Sequence, residues 1–162
     1  LIRWNLIAAF ATLAVGGLMG LLVLLTRWPS VHLLPVEHYY RFLTAHGLDA
    51  LLAWIIFFEI ALVHFTSAVL LGTRSYVSWL GWVAFALMLI GGALINTIVV
   101  LGRADVMFTS YVPLKADPLY YLGVILFAVG ALIGFIHFFI NIFYIVPSIN
   151  YKWFITITIE KV

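Results

Sequence analysis

Four long apolar segments constrain what this sequence can fold into more than any other feature. They cover about residues 5–25, 37–71, 77–101 and 119–146. A helix that crosses a bilayer needs about 20 mostly apolar residues, because the hydrocarbon core is about 30 Å thick and each helical residue rises about 1.5 Å. The sequence therefore predicts an all-α protein, a polytopic transmembrane bundle with four spanning helices.

The composition favours a membrane environment and excludes several functions. Of the 162 residues, 66% are hydrophobic and only 9% are charged, whereas a soluble domain is about half apolar and about a quarter charged. One core of this size cannot bury so much apolar surface, so lipid must cover part of it. The net charge of +2 comes without a basic cluster, so we expect no nucleic-acid partner. The lack of cysteine excludes disulfides, thiolate catalysis and iron–sulfur clusters.

We interpret residues 1–162 as one transmembrane domain that ends in an extramembrane tail, residues 148–162. Gly72–Ser75 forms a predicted polar turn between the second and third helices. Apolar and polar residues alternate with period two over Trp153–Val162, which predicts a strand. A lone strand leaves its backbone groups unpaired in hydrocarbon, so we expect this strand to lie outside the bilayer.

Two pairs of glycines are spaced for close helix packing. Gly16 and Gly20 lie in the first helix, and Gly130 and Gly134 lie in the fourth. Small residues four apart let helix backbones approach closely in lipid, where van der Waals contact drives association. We expect both pairs to mark contacts between helices.

Ionisable side chains in the predicted spans are the main candidates for function, because burying them in a membrane is costly. The second helix carries His46, Asp49, Glu59 and His64, and the fourth carries His137. Glu59 lies near mid-membrane, where a buried carboxyl group would be protonated or paired. Its residue type leaves a proton-relay role and a structural role equally open.

His46 is a candidate ligand for haem iron, because imidazole nitrogen binds that metal well. At 100° per residue, several side chains lie within about 40° of His46 on the helix. The small alanines among them leave room for a flat ligand, and the phenylalanine would pack against its ring. Asp49, about 60° away, would hold the other imidazole nitrogen or a water. A histidine that only hydrogen-bonds a neighbouring helix is the alternative. The residues predicted on the His46 face are Tyr39, Ala50, Ala53, Phe57 and His64.

His64 and His137 lie at similar depth, because the second and fourth helices run in the same direction. Five helical turns separate His64 from His46, which places them on one face about 27 Å apart. A small dihaem cytochrome b, with haem between His64 and His137, is one alternative function; a cofactor-free structural subunit of a respiratory complex is another. His46 has no histidine of equal depth on this chain, so a haem bound there needs a second ligand from elsewhere.

Two motifs resemble subunit I of the haem–copper oxygen reductases, especially the B-type members. Thr44, His46 and Gly47 match the Thr-x-His-Gly motif of the second helix. Tyr111-Val112-Pro113-Leu114 matches the Tyr-Pro-Pro-Leu segment between the third and fourth helices, with Val112 replacing the first proline. The order and spacing agree over nearly the whole chain.

The resemblance implies that His46 ligates a low-spin haem near the outer face of the bilayer. It also implies that Arg41 or Arg103 meets the haem propionates, and that Tyr111 lies near the haem-bearing core. The termini would be cytoplasmic, in a prokaryotic plasma membrane. The electron donor would be a copper or cytochrome subunit, or quinol.

The same family places its copper, its high-spin haem and the second ligand of the low-spin haem in later helices. Neither a His-His pair nor a His-x-His sequence occurs in this chain. We therefore expect this chain to be the N-terminal four-helix portion of a larger bundle. Its partner would be the remainder of subunit I, on the same chain or on a split one.

Overall fold

The structure, a computed structural model, describes residues 1–71, 77–107 and 109–159. Side chains are described for these residues except 37, 70, 71 and 145–159. The predicted turn at Gly72–Ser75 therefore lies outside the described residues.

The described residues form helices that cover all four predicted spans, which confirms the fold class. The elements are α1 (Ile2–Arg27), α2 (Val36–Gly47), a π-helical segment (Leu48–Ala53), α3 (Trp54–Leu71), α4 (Ser78–Val100) and α5 (Pro118–Ile159). Four of the resulting stretches are long and apolar enough to cross a membrane: Ile2–Arg27, His38–Val69, Ser78–Val100 and Pro118–Tyr144.

The second span differs from the prediction of one regular helix. The π segment separates α2 from α3 immediately after Gly47. A π turn closes its hydrogen bonds over five residues instead of four, so it behaves as one inserted residue. It therefore rotates every later side chain of the span by about 100° relative to a regular α-helix.

The predicted strand in the tail is wrong over its described part, because α5 continues to Ile159. A helix satisfies its backbone hydrogen bonds internally, whereas a strand at this position would need a second strand to pair with. The described residues contain no such strand. Residues 160–162 lie outside the described set. The start of α5 is also defined locally, because the Asp117 carboxylate accepts a hydrogen bond from the Leu119 N–H at 2.9 Å.

The core has two layers along the bundle. The first lies where α1, α3, α4 and α5 meet, and the second lies nearer the connection between α4 and α5. Large apolar side chains also cover the outside of the bundle, as expected where lipid is the solvent. Buried apolar residues of the first layer include Phe57, Met88 and Phe127; those of the second include Ala45, Ile98, Val106 and Tyr120.

Close glycine contacts set two helix pairs. A Cβ atom at Gly16 would lie 2.6 Å from the Ala50 nitrogen, so α1 packs directly against the π segment. A Cβ atom at Gly91 would lie 2.6 Å from the Gly123 oxygen, so α4 and α5 also meet backbone to backbone. Gly130 makes a similar approach to Ala84 of α4. The packing role predicted for both glycine pairs is confirmed.

Candidate functional site

His46 is held by α1 through one of its two ring nitrogens. Its Nδ1 lies 2.8 Å from the carbonyl oxygen of Gly16, which can only accept, so Nδ1 carries the hydrogen. The ring is half-buried, and Nε2 is accessible and makes no hydrogen bond to any described residue. A metal-binding histidine commonly donates its other N–H to a backbone carbonyl in this way, which fixes the ring and the tautomer. The arrangement fits a metal ligand that uses Nε2.

Gly20 provides the space for that ring. A Cβ atom there would lie 2.7 Å from both Cε1 and Nδ1 of His46. Gly16 meanwhile supplies the carbonyl that orients the ring. The glycine spacing in α1 therefore positions His46, in addition to bringing two helices together.

The side chains predicted on the His46 face are divided between two environments. Ala50 packs against Gly16 of α1, and Tyr39 is half-buried in α2. Ala53 and Phe57 instead belong to the core. The ring centroid of Phe57 lies 5.6 Å from that of Phe127 in α5 and 6.0 Å from that of Phe85 in α4.

The π segment accounts for this division, because Phe57 follows it and is rotated away from the direction that a regular helix gives. The prediction that His46 and His64 share a face is wrong for the same reason. His46 contacts α1, whereas His64 contacts α5. A role for Ala53 and Phe57 beside a bound haem stays a prediction.

Arg41 lies one to two turns before His46, towards the start of α2. Its Nε is 3.5 Å from Oδ1 of Asp105, an ion pair between α2 and the α4–α5 connection. The guanidinium packs against Gly102, where φ is +70° and a Cβ atom would collide with it. Arg103 pairs with Asp117 in the same connection. Positive charge is thus fixed at this end of the bundle, although each arginine already has a carboxylate partner.

Thr44 links the two motifs of the sequence analysis. Its hydroxyl donates to the Tyr40 carbonyl at 2.7 Å and accepts from the Met107 N–H at 2.9 Å. The Thr44 side chain is fully buried. The first motif therefore fixes the loop that leads to the second, whose Tyr111 is exposed. The sequence could not reveal this bond, because Thr44 and Met107 are 63 residues apart.

Asp49 contacts α4 rather than His46. Its Oδ1 accepts a hydrogen bond from the Asn96 amide at 2.9 Å, and its Oδ2 is buried without a hydrogen-bond partner. Asn96 also lines a cavity of about 180 Å³ between α1, α2 and α4. The predicted role in holding the His46 imidazole is wrong, because the Gly16 carbonyl occupies that position.

His64 and His137 contact each other directly. Nε2 of His64 lies 2.8 Å from Nδ1 of His137, and both rings are buried. An iron between two imidazoles would need the nitrogens about 4 Å apart, since each metal–nitrogen bond is about 2 Å. The structure thus leaves no room for the haem that a dihaem cytochrome b would hold there. Their similar depth, predicted from the helical rise, is confirmed.

The fold and this site define a class: a polytopic membrane protein in which one half-buried histidine is held through a single ring nitrogen. No group of three or more histidine, aspartate or glutamate side chains suited to a metal ion occurs among the described residues. A metal bound at His46 would therefore take a further ligand from outside the described part of the chain, or from a macrocycle such as haem.

Comparison with known proteins then identifies the family. Residues 1–160 match the model of the cytochrome c and quinol oxidase polypeptide I family. The chain belongs to that family, and it corresponds to the N-terminal portion of subunit I, as the sequence motifs predicted.

Two relatives show how much of a longer protein this chain matches. An uncharacterized protein of Aquifex aeolicus (strain VF5) is 28% identical over 128 residues, covering 78% of this chain and 31% of the relative. A haem–copper terminal oxidase dimer solved by cryo-electron microscopy is 27% identical with a TM-score of 0.70, covering 83% of this chain and 23% of that one. The chain thus spans less than a third of either relative.

Proposed function

We propose that this chain is the haem-binding portion of subunit I of a respiratory terminal oxidase. His46 would ligate a low-spin haem through Nε2. The observation that carries the proposal is the Gly16 carbonyl at His46 Nδ1, which fixes the tautomer and leaves Nε2 accessible. The family membership supports a haem protein in general, and this geometry supports His46 as the proposed ligand.

The haem, when bound, supplies one-electron transfer. This chain's own contribution is to orient the ligand with Gly16, to make space for it with Gly20 and to position charge with Arg41. Arg41 would meet the propionates near the outer loop, sharing its guanidinium with Asp105. The electron donor would be a copper or cytochrome subunit, or quinol. The copper and the high-spin haem would lie in the remaining part of the enzyme.

Glu59 supports the proposal that further helices pack against this bundle. It lies well inside the second span but is exposed on its surface and has no partner among the described residues. Ionisable groups at this depth normally face protein or a water-filled cavity rather than lipid. We infer that the remainder of subunit I, on this chain or a split one, covers Glu59 and supplies the second ligand of the haem.

The orientation follows from the same proposal. His46 would lie near the outer face. The α4–α5 connection with Asp105, and Arg41 of α2 beside it, would then face outward, and the termini would be cytoplasmic. A prokaryotic plasma membrane is the proposed location. The His46 end of the bundle would then lie at the outer face of the bilayer, and the end that contains His64 and His137 would lie at the cytoplasmic face.

The test is the His46→Ala variant in the intact membrane complex that contains this chain. We expect loss of the reduced alpha band of the low-spin haem, while the exposed-loop variant His32→Ala retains it. An unchanged alpha band in assembled His46→Ala complex would contradict the proposal and favour a cofactor-free structural subunit. Size-exclusion chromatography distinguishes that result from failed assembly.

A further inference from the structure

The proposed haem site assigns no role to the buried carboxyl group of Asp49. This residue is 2% exposed, and its Oδ1 accepts a hydrogen bond from the side-chain amide of Asn96 at 2.9 Å. Its Oδ2 is buried and has no hydrogen-bond partner among the described residues. Burying a carboxyl group with a single neutral partner costs free energy, and an apolar side chain of similar size would avoid that cost. Stability therefore does not explain why an aspartate occupies this position.

Asp49 lies inside the π segment, three residues after His46. The N–H of Trp54 donates to the Asp49 carbonyl, five residues earlier, which is the hydrogen bond of a π turn. The N–H of Leu48 still bonds the Thr44 carbonyl, four residues earlier, as in a regular α-helix. The residue that the π turn inserts therefore comes after His46, and His46 keeps the register of α2.

The place of this insertion decides which way the His46 ring points. Thr44 and His46 both precede it: the Thr44 hydroxyl accepts from the Met107 N–H, and the His46 Nδ1–H donates to the Gly16 carbonyl. An insertion between Thr44 and His46 would rotate the imidazole by about 100° relative to Thr44. The ring would then turn away from α1. The contact between His46 and Gly16 thus requires a π turn that stays after His46.

Two neighbouring residues of the π segment hold it between α1 and α4. The backbone of Ala50 lies against Gly16, where a Cβ atom would be 2.6 Å from the Ala50 nitrogen. Asp49 accepts from Asn96, whose amide also donates to the Gly92 carbonyl at 3.1 Å and is thereby fixed on α4. Fixing the register of helices is the best-attested use of a buried polar group that costs stability. The Asp49–Asn96 bond is therefore placed to fix the register of the π segment.

We propose that Asp49, through its bond to Asn96, is a positioning residue for His46. It keeps the π turn after His46, so that the imidazole faces the Gly16 carbonyl. The bond requires an acceptor at residue 49 and no negative charge, so an amide oxygen there would serve equally. The inference rests on the proposed function only in naming His46 a haem ligand, because the register of the π segment is a property of this chain.

The test is solid-state NMR of the intact complex with ¹⁵N-labelled histidine and glycine labelled with ¹³C at the carbonyl. The dipolar coupling between the His46 imidazole and the Gly16 carbonyl reports their contact, and the His46→Ala spectrum identifies that coupling by its absence. The double variant Asp49→Leu with Asn96→Leu removes both polar groups and leaves neither one unpaired. We expect this coupling to be lost in the double variant, without a lower midpoint of thermal unfolding. An assembled double variant with the wild-type coupling would overturn the proposal.

Two further variants separate register from a general effect of removing polar groups. Asp49→Asn keeps an acceptor for Asn96, so it should retain the coupling between His46 and Gly16. Thr26→Val removes a buried hydroxyl that bonds only Leu22 of its own helix, and it should also retain the coupling. Loss of the coupling in Asp49→Asn would overturn the proposal. That variant decides the question if the double variant does not assemble.

A second measurement follows the proposed haem. Electron paramagnetic resonance spectra of the double variant should show shifted low-spin g values, because the imidazole has turned, whereas Asp49→Asn should keep the wild-type values. Unshifted values in a double variant that has lost the coupling would contradict a bond between His46 and the haem. Since the NMR coupling requires no haem, failure of the haem proposal and failure of this one are distinguishable.

Discussion

The hydroxyl of Thr44 accepts a hydrogen bond from the backbone N–H of Met107 at 2.9 Å. This bond joins the helix that carries His46 to the connection between α4 and α5, where φ of Met107 is +56°. A backbone conformation that most side chains avoid needs such support. The position of the α4–α5 connection therefore depends on Thr44, two residues before the proposed haem ligand.

The variant Thr44→Val tests that dependence. Valine has nearly the same shape but cannot accept a hydrogen bond from the Met107 N–H, so we expect a loss of about 1 kcal/mol of stability and faster proteolysis of the α4–α5 connection. Thermal unfolding of the complex measures the first effect and limited proteolysis the second. Thr97→Val is the control, because its exposed hydroxyl bonds only Ala93 of its own helix. Equal effects of the two variants would contradict a role for the loop contact.

The variant Gly20→Ala tests whether the space left by Gly20 positions the His46 ring. The new Cβ atom would lie 2.7 Å from two ring atoms, so the imidazole must move and its bond to the Gly16 carbonyl must weaken. If the proposed haem is bound, we expect a shifted or lost low-spin signal in electron paramagnetic resonance spectra.

Gly17→Ala is the matched control for that experiment, because a Cβ atom at Gly17 meets nothing within 4 Å. It adds the same methyl group to the same helix, three residues before Gly20 and one residue after Gly16. A low-spin signal that changes equally in both variants would indicate a general effect on α1. An unchanged signal in Gly20→Ala would show that His46 does not carry the haem.

The four spans could be predicted because apolar length is a local property of the sequence. The Thr-x-His-Gly motif predicted His46 as the candidate haem ligand. The helical rise predicted the similar depth of His64 and His137. The π segment could not be predicted, because nothing in the residues Leu48–Ala53 distinguishes it from a regular helix. Its extra residue made the predicted faces after residue 53 unreliable, as Phe57 and His64 show.

Contacts between helices were the other part that sequence could not supply. Asp49 was placed near His46 by sequence spacing, but its partner is Asn96 of α4. The choice depends on how α4 lies against the second span, which involves side chains far apart in sequence. Equal depth likewise made a contact between His64 and His137 possible, whereas the direct nitrogen–nitrogen distance depends on the rotation of α3 and α5.

The Asp49–Asn96 bond is testable by exchanging its two ends. Asn96→Asp places two carboxyl groups in contact inside the bundle, so we expect a loss of about 1–3 kcal/mol. The double variant Asp49→Asn with Asn96→Asp restores a donor and an acceptor, so it should recover part of that loss. Thermal unfolding of the wild type, the single variants Asp49→Asn and Asn96→Asp, and the double variant gives the coupling energy. A double variant no more stable than Asn96→Asp would show that the two side chains do not interact directly.

The contact between α4 and α5 predicts different effects for two adjacent glycines. A Cβ atom at Gly91 would lie 2.6 Å from both the Gly123 oxygen and the Phe127 nitrogen, so Gly91→Ala must push two backbones apart. Overpacking of this kind costs about 1–3 kcal/mol, and we expect a lower midpoint in thermal unfolding of the complex. At Gly92 the nearest atom is Cδ2 of Phe127, at 3.9 Å, so Gly92→Ala should be neutral or slightly stabilising. Because alanine favours a helix equally at both positions, a lower midpoint for Gly92→Ala than for Gly91→Ala would contradict the packing described for α4 and α5.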